Sequence, residues 1–304
     1  MREVVDIKLA RNQTVKELIR QFDLSGGFTA KKLATACEIL SKMLFDKKCL
    51  TFLSFPANLV ATGTRGVLKE LVKRRLVDAV VTTCGTLDHD LARCWKDYYH
   101  GSFLMNDAEL RRKKFHRLGN VLIPFESYGK VLEQKIQRFL REVYKTKKEL
   151  STRDLCWELG KCVKSKNSIL YWCWRNKIPV FIPGALDGAL GSQLWLYWQA
   201  HRDFKLNLFK DEQELCDLVF NAKRSGALII GGGISKHHLL WWNQFKGGLD
   251  YAVYITTAVE WDGSLSGAKP TEAISWGKIK EKAKHVIIEG DATVLLPLLV
   301  ASAI

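Results

Sequence analysis

From Leu33 to its C-terminus the sequence alternates short apolar runs with stretches of helical periodicity, and this alternation restricts the chain to few architectures. Leu33, Cys37, Leu40 and Leu44 recur at helical spacing and lead into the apolar run Cys49 to Ser54. Val67, Leu68 and Leu71 open a second helix face before the run Val77 to Thr83. Further strand candidates are Val121 to Ile123, Pro179 to Ile182, Ala227 to Ile230, Tyr251 to Thr256 and His285 to Glu289. Helical patterns fill Val131 to Tyr144, Arg153 to Val163, Gln213 to Lys223, and Ala292 onward. Parallel strands need crossover connections, most often helices, so such a chain is expected to be α/β. The expected form is a Rossmann-like, doubly wound, mostly parallel sheet flanked by helices. No internal repeat or low-complexity linker interrupts the pattern. The most polar stretch, Tyr144 to Arg153, reads as a connection between helices, and residues 1–304 are expected to form a single domain.

Small and polar residues collect just beyond the expected strand ends. Asn58, Thr62 and Gly63 follow the first strand, and Cys84, Gly85 and Thr86 the second. Gly184, Asp187 and Gly188 follow the proline-flanked strand, and Gly231-Gly232-Gly233 the next. Asp262 and Gly263, then Gly290-Asp291, follow the last two. In open α/β sheets the ligand crevice lies outside the carboxyl ends of the strands. Glycines there admit phosphates to backbone N–H groups, and a following helix N-terminus attracts negative charge. The layout is that of a dinucleotide site without the Gly-x-Gly-x-x-Gly fingerprint. Three consecutive glycines are equally compatible with a tight strand-to-helix turn.

The composition, 47% hydrophobic and 26% charged, is that of a core-forming soluble chain. No run approaches the roughly 20 apolar residues of a membrane helix, and the N-terminus, with Arg2, Glu3 and Asp6, has no apolar signal core. The eight cysteines show neither Cys-x-x-Cys nor zinc-type spacing, so no metal site is expected. Cys37, Cys173 and Cys216 lie in apolar surroundings, as expected for buried thiols in a reducing cytoplasm. The net charge of +15 is compatible with an anionic partner. Its basic runs, such as Lys73-Arg74-Arg75 and Arg111-Arg112-Lys113-Lys114, lack interleaved aromatics and read as solvated helix faces rather than a nucleic-acid surface.

One short segment bears on chemistry. Ser275-Trp276-Gly277-Lys278-Ile279 sets a lysine beside an indole, after the loop Glu260 to Pro270. A lysine amine is nucleophilic only when neutral, and burial beside an aromatic face favours that form. Around it stand Gly231-Gly232-Gly233-Ile234-Ser235-Lys236-His237-His238, Asp250-Tyr251-Ala252-Val253-Tyr254-Ile255, Glu260-Trp261-Asp262-Gly263, Ser266-Gly267-Ala268-Lys269-Pro270, Glu272-Ala273 and Asp291-Ala292. In order and spacing this block resembles the deoxyhypusine synthase family. Weaker marks lie upstream at Asn58 with Thr62-Gly63, Thr82-Thr83, Asp90-Leu91, Arg117-Leu118-Gly119-Asn120 and Asp187-Gly188.

The resemblance implies an NAD-dependent aminobutyl transferase that acts in the cytoplasm as a homotetramer with sites at subunit interfaces. Such enzymes oxidise spermidine, hold its aminobutyl group as an imine on a lysine, and pass it to a lysine of translation initiation factor 5A. By resemblance Lys278 is the nucleophile, Trp276 packs along the polyamine, His237 hydrogen-bonds an amine or shuttles a proton, and Glu272 meets an ammonium. Asn58, Thr62, Asp187, Thr257, Asp262 and Asp291 map to the NAD site. An aspartate after a strand can also be an ordinary helix cap.

The sequence departs from the family at three positions that usually carry acids, which here hold His89, Ser192 and Leu265. Asp88 and Glu260 are nearby acids that could compensate, and Glu272 is retained. The alternatives are a paralogue using another amine donor or a small-molecule acceptor, as homospermidine synthases do, and an idle NAD-binding homologue. A long N-terminal extension of the eukaryotic kind is absent, as expected for a compact prokaryotic or archaeal relative.

Overall fold

The computed structural model describes all 304 residues, Met1–Ile304, and groups them into two compact units. The first comprises Met1–Phe55, Leu76–Ala79 and Leu215–Ile304, and the second Pro56–Arg75 and Val80–Glu214. Neither is continuous in sequence within the span expected as one domain.

In the first unit four parallel strands lie side by side in the order Ile279–Glu289, Leu249–Thr256, Arg224–Ile230, Cys49–Phe55. Phe52, Leu53, Ile229, Val253 and Ile288 are fully buried along it, which accounts for the unbroken apolar runs in the sequence. Helices cover both faces, and side-chain alternation shows it. A Cβ on Gly226 would meet Met43 of the helix Phe28–Phe45 and Cβ of Tyr251, its partner on the next strand. Three residues on, Tyr254 points to the opposite face, where its ring meets Lys236 of the helix Gly233–Gln244. The C-terminal helix Ala292–Ala303 packs on Phe28–Phe45, with Cys37 Sγ directed at the Leu299 carbonyl. This is the expected doubly wound, parallel arrangement.

In the second unit Val80 and Val81, of the strand Ala79–Thr82, pair in parallel with Val180 and Phe181. Val121–Pro124, expected as a strand, is not part of a parallel sheet. It is the centre of a three-stranded antiparallel sheet, between Tyr99–His100 and Phe115–Leu118. The left-handed turn at Gly119 (φ 59°) returns the chain directly, which is why no crossover helix follows. Helices Arg65–Lys73, Cys84–Trp95, Gly129–Tyr144, Thr152–Val163, Ile169–Asn176 and Ala189–Ala200 supply most of the rest.

Buried carboxylates seat several of these helices. Asp90 accepts the N–H groups of Ile169 and Leu170 at 3.0 and 3.1 Å, the Ser168 hydroxyl at 2.6 Å and Arg65 Nε at 2.7 Å. Asp88 accepts the N–H groups of Ala189 and Leu190, both at 2.8 Å, and the Tyr128 hydroxyl at 2.9 Å. Asp211 does the same for Thr152 and Arg153. Each places negative charge on the unpaired donors of a helix start.

Candidate active site

The short helix Pro270–Ser275 and the turn after it deliver Lys278 to the sheet. Proline occupies the helix start, where a missing N–H costs nothing. The helix ends in a Schellman turn: Gly277 is left-handed at φ 68°, its N–H donates to the Ile274 carbonyl, and the Lys278 N–H donates to Ala273, both at 2.9 Å. The lysine then enters the sheet, its carbonyl accepting the Leu249 N–H at 3.0 Å. Close approach here requires Gly248. It sits at φ 97°, and the backbone of Lys278 and Ile279 lies 2.8 Å from where a Cβ would be. The Ser-Trp-Gly-Lys sequence is therefore a helix terminator that fixes the lysine beyond it.

Lysines beside helix ends are usually solvated, yet Lys278 is only 8% exposed. Its Nζ lies 5.1 Å from the centre of the Trp276 ring and 5.9 Å from that of Trp241, within range of attraction to both aromatic faces. His237 precedes Trp241 by one turn on the same helix face, and their rings stack at 5.6 Å and 25°. Partial burial, followed by the nearby Lys278 charge, holds the His237 imidazole below its usual pKa. Lys278, Trp276 and His237 thus come together as expected. Glu272 lies exposed on the same short helix.

Lys236 and Trp241 were not expected to have roles. Lys236 is 1% exposed, and its Nζ donates to the carbonyls of Leu265 and Ala268 at 2.7 and 2.9 Å while lying over the Tyr254 ring. Burial pushes its pKa down to about 8, against the opposing pull of Glu272. It ties the helix to the loop after the Leu249–Thr256 strand. Trp241 is legible only as the i+4 neighbour of His237.

The residues mapped to the dinucleotide occupy other places. Gly231 and Gly233 are left-handed at φ 70° and 69°. A Cβ on Gly232 would fall 2.2 Å from Ser266 Oγ, so the glycine turn and the loop are in direct contact. Thr257 is exposed after its strand. Asp262 Oδ1 accepts the Ser264 N–H at 2.7 Å within that loop. Asp291 caps the final helix, accepting the Thr293 N–H at 2.9 Å and its hydroxyl at 2.6 Å. Both aspartates have the local structural task that such positions often carry. Asn58, Thr62 and Asp187 belong to the second unit. Asn58 and Asp187 are exposed, and the Thr62 hydroxyl donates to Leu59 at 2.8 Å. Within the first unit, Lys278 enters at the strand starts, whereas the glycine turn, Thr257 and Asp291 lie at the strand finishes. The Leu249–Thr256 strand between these ends runs roughly 23 Å.

The three positions lacking acids are structurally defined. His89 is half-buried, its Nδ1 3.0 Å from the Tyr98 hydroxyl, and desolvation pushes its pKa down to about 4. The Ser192 hydroxyl donates to Gly188, and the Leu265 carbonyl accepts Lys236. Asp88 and Glu260, the acids that could compensate, both have partners within the protein. Asp88 is engaged by one hydroxyl and two helix-start N–H groups, and Glu260 pairs with Lys269. Of the three, Glu272 alone has a carboxylate with neither an ion pair nor a hydrogen bond.

The family model for deoxyhypusine synthase matches residues 17–303. A relative from Picrophilus torridus is 57% identical over 98% of this chain and 96% of its own length, and one from Thermoplasma acidophilum is 53% identical over 99% and 96%. Both are described as "Probable deoxyhypusine synthase". A crystal structure from Entamoeba histolytica under the same family name superposes with a TM-score of 0.66 at 19% identity, over 96% of this chain and 93% of that one. The AgrE complex with ornithine and NAD+ superposes at 0.53 and 15% identity, over 90% of this chain and 33% of that one. These two likenesses establish the fold alone.

Proposed function

The chain belongs to the deoxyhypusine synthase family, and from that membership we propose that it transfers the 4-aminobutyl group of spermidine, through an imine on Lys278, to a lysine of translation initiation factor 5A. One observation carries this reading: Lys278 is a nearly buried amine with no ion pair, held between two indole faces beside an imidazole. A solvated or salt-bridged lysine would be a poor nucleophile. The neutral amine of Lys278 adds to the oxidised donor carbon and 1,3-diaminopropane departs, leaving the aminobutyl group as an imine on Nζ. The acceptor lysine then displaces Lys278. His237, with its depressed pKa, takes and returns protons at these amines. Trp276 excludes water from the imine, and Glu272 meets a donor ammonium.

The strand-finish region fits NAD. A Cβ on Gly233 would meet open space, so a phosphate can approach its backbone, and no side chain caps the N-terminus of the helix that starts there. Thr257, Asp262 and Asp291 would hold the rest of the dinucleotide within this unit. When bound, NAD supplies hydride acceptance and return. The reading includes a cytoplasmic homotetramer with sites at subunit interfaces. The separation of Lys278 from the strand finishes supports such sharing, as do the exposed rings of Trp241, Phe245 and Trp276. No helix is long and apolar enough to cross a membrane.

A specific observation favours a second reading, a paralogue with another amine donor. With Asp88 and Glu260 committed elsewhere, Glu272 is left to meet a polycation for which several carboxylates are expected. One experiment addresses both readings: incubation with NAD and a panel of amines, borohydride reduction, and mapping of the adduct. Spermidine as best donor supports the first reading, and a shorter amine the second. No adduct with any amine would overturn both.

A further inference from the structure

We propose that Trp241 is the second wall of an amine slot at Lys278 and sets which amines are accepted there, an inference that rests on the transfer reading above. Trp241 and Trp276 come from different elements, the helix Gly233–Gln244 and the end of Pro270–Ser275, yet both present rings to the same Nζ. Trp241 is held in place from both sides along its helix. His237 stacks on it at 5.6 Å and 25°, and Phe245 meets it edge-on at 5.8 Å and 88°. These three residues follow one another at four-residue spacing, so a single helix face fixes the indole plane. The ring is nevertheless 43% exposed, so packing in a core does not explain its restraint.

The charges nearby point the same way. Glu260 is paired with Lys269 and Asp250 with Lys280, leaving Glu272 as the carboxylate without a partner. A cationic alkyl chain entering this slot is therefore recognised chiefly by two indole faces, which attract an ammonium and pack against methylenes. The ligand class is an aliphatic amine with a methylene spacer. Because indole attraction does not depend on mobile counter-charges as exposed ion pairs do, half-saturation by the amine should change little with added salt.

The test uses the full-length protein with NAD and compares wild type, Trp241→Leu and Trp241→Phe. The amine concentration giving half-maximal borohydride-trapped adduct is measured at low and high salt, and NAD affinity by calorimetry. Trp241→Leu should raise the half-saturating amine concentration about tenfold, within the span a cation over an indole contributes. Trp241→Phe should restore most of this loss, and NAD affinity should be unchanged in both. An unchanged value in Trp241→Leu would overturn the proposal. So would equal impairment in Trp241→Phe, or a parallel loss of NAD affinity, since either makes Trp241 a fold residue. If wild type forms no adduct, the transfer reading fails separately, and calorimetric titration of the same amines reads the slot directly. Binding lost in Trp241→Leu would still support it, and absence of binding to wild type would overturn it.

Discussion

Lys236 and Lys278 lie in one unit and have opposite surroundings. Lys236 spends its donors on two carbonyls and locks a loop, whereas Lys278 meets only aromatic faces. The direction of each Nζ, not burial, separates the structural lysine from the chemical one: Lys236 is turned onto two carbonyls of a loop, whereas Lys278 lies beside rings that are themselves exposed. The contrast at His89 is one of charge. The unfolded chain takes a proton on this imidazole below about 6.5, while the folded protein keeps it neutral down to about 4. The unfolded state therefore binds more protons in that window, and His89 removes stability as pH falls through it. At about 1.4 kcal/mol per pH unit, the loss approaches about 3 kcal/mol. Urea unfolding of wild type and His89→Gln at pH 7 and pH 4.5 should show the variant gaining relative to wild type at the lower pH. A constant difference would mean that the imidazole is not held neutral.

At the scale of elements, helix starts in the second unit depend on carboxylates from elsewhere in the chain. Asp90 serves the Ile169–Asn176 helix and also neutralises Arg65, which is 6% exposed. Asp90→Asn would strand that guanidinium, and a buried charge without its partner costs about 3–5 kcal/mol. Chemical denaturation should register a loss of that size, and a change below about 1 kcal/mol would contradict the capping account. These dependencies were illegible in the sequence because both partners are local in neither position nor pattern. Asp88 read only as an acid that could compensate, and its bonds to the N–H groups of Ala189 and Leu190 were not legible. The parallel strands were legible because strands buried on both faces are written as continuous apolar runs, as in Ala227–Ile230 and Tyr251–Thr256. Val121–Ile123 carried the same signal, but the tight turn at Gly119 decided its antiparallel pairing. In the candidate site, the nucleophile and its neighbours were legible through one continuous motif. Trp241 was not, since its role arises from a side-chain direction that spacing alone does not give.

At the scale of the whole molecule, the two units are each assembled from separated stretches of chain, and the residues mapped to the dinucleotide are divided between them. The surface carries exposed large apolar side chains, among them Phe209, Trp195, Trp241, Trp261 and Trp276, which subunit contacts would cover. Sedimentation equilibrium should accordingly find a homotetramer at micromolar concentration, and a monomer under those conditions would contradict shared sites. The central claim is that Lys278, and no other lysine, carries the aminobutyl group. Wild type, Lys278→Arg and Lys236→Arg should be incubated with NAD and the best donor amine, reduced with borohydride, and mapped by peptide mass spectrometry. Arginine stays protonated and cannot form the imine. The account predicts an adduct on Lys278 in wild type and in Lys236→Arg, and none in Lys278→Arg despite retained NAD binding. An adduct on Lys236, or one that persists in Lys278→Arg, would contradict it.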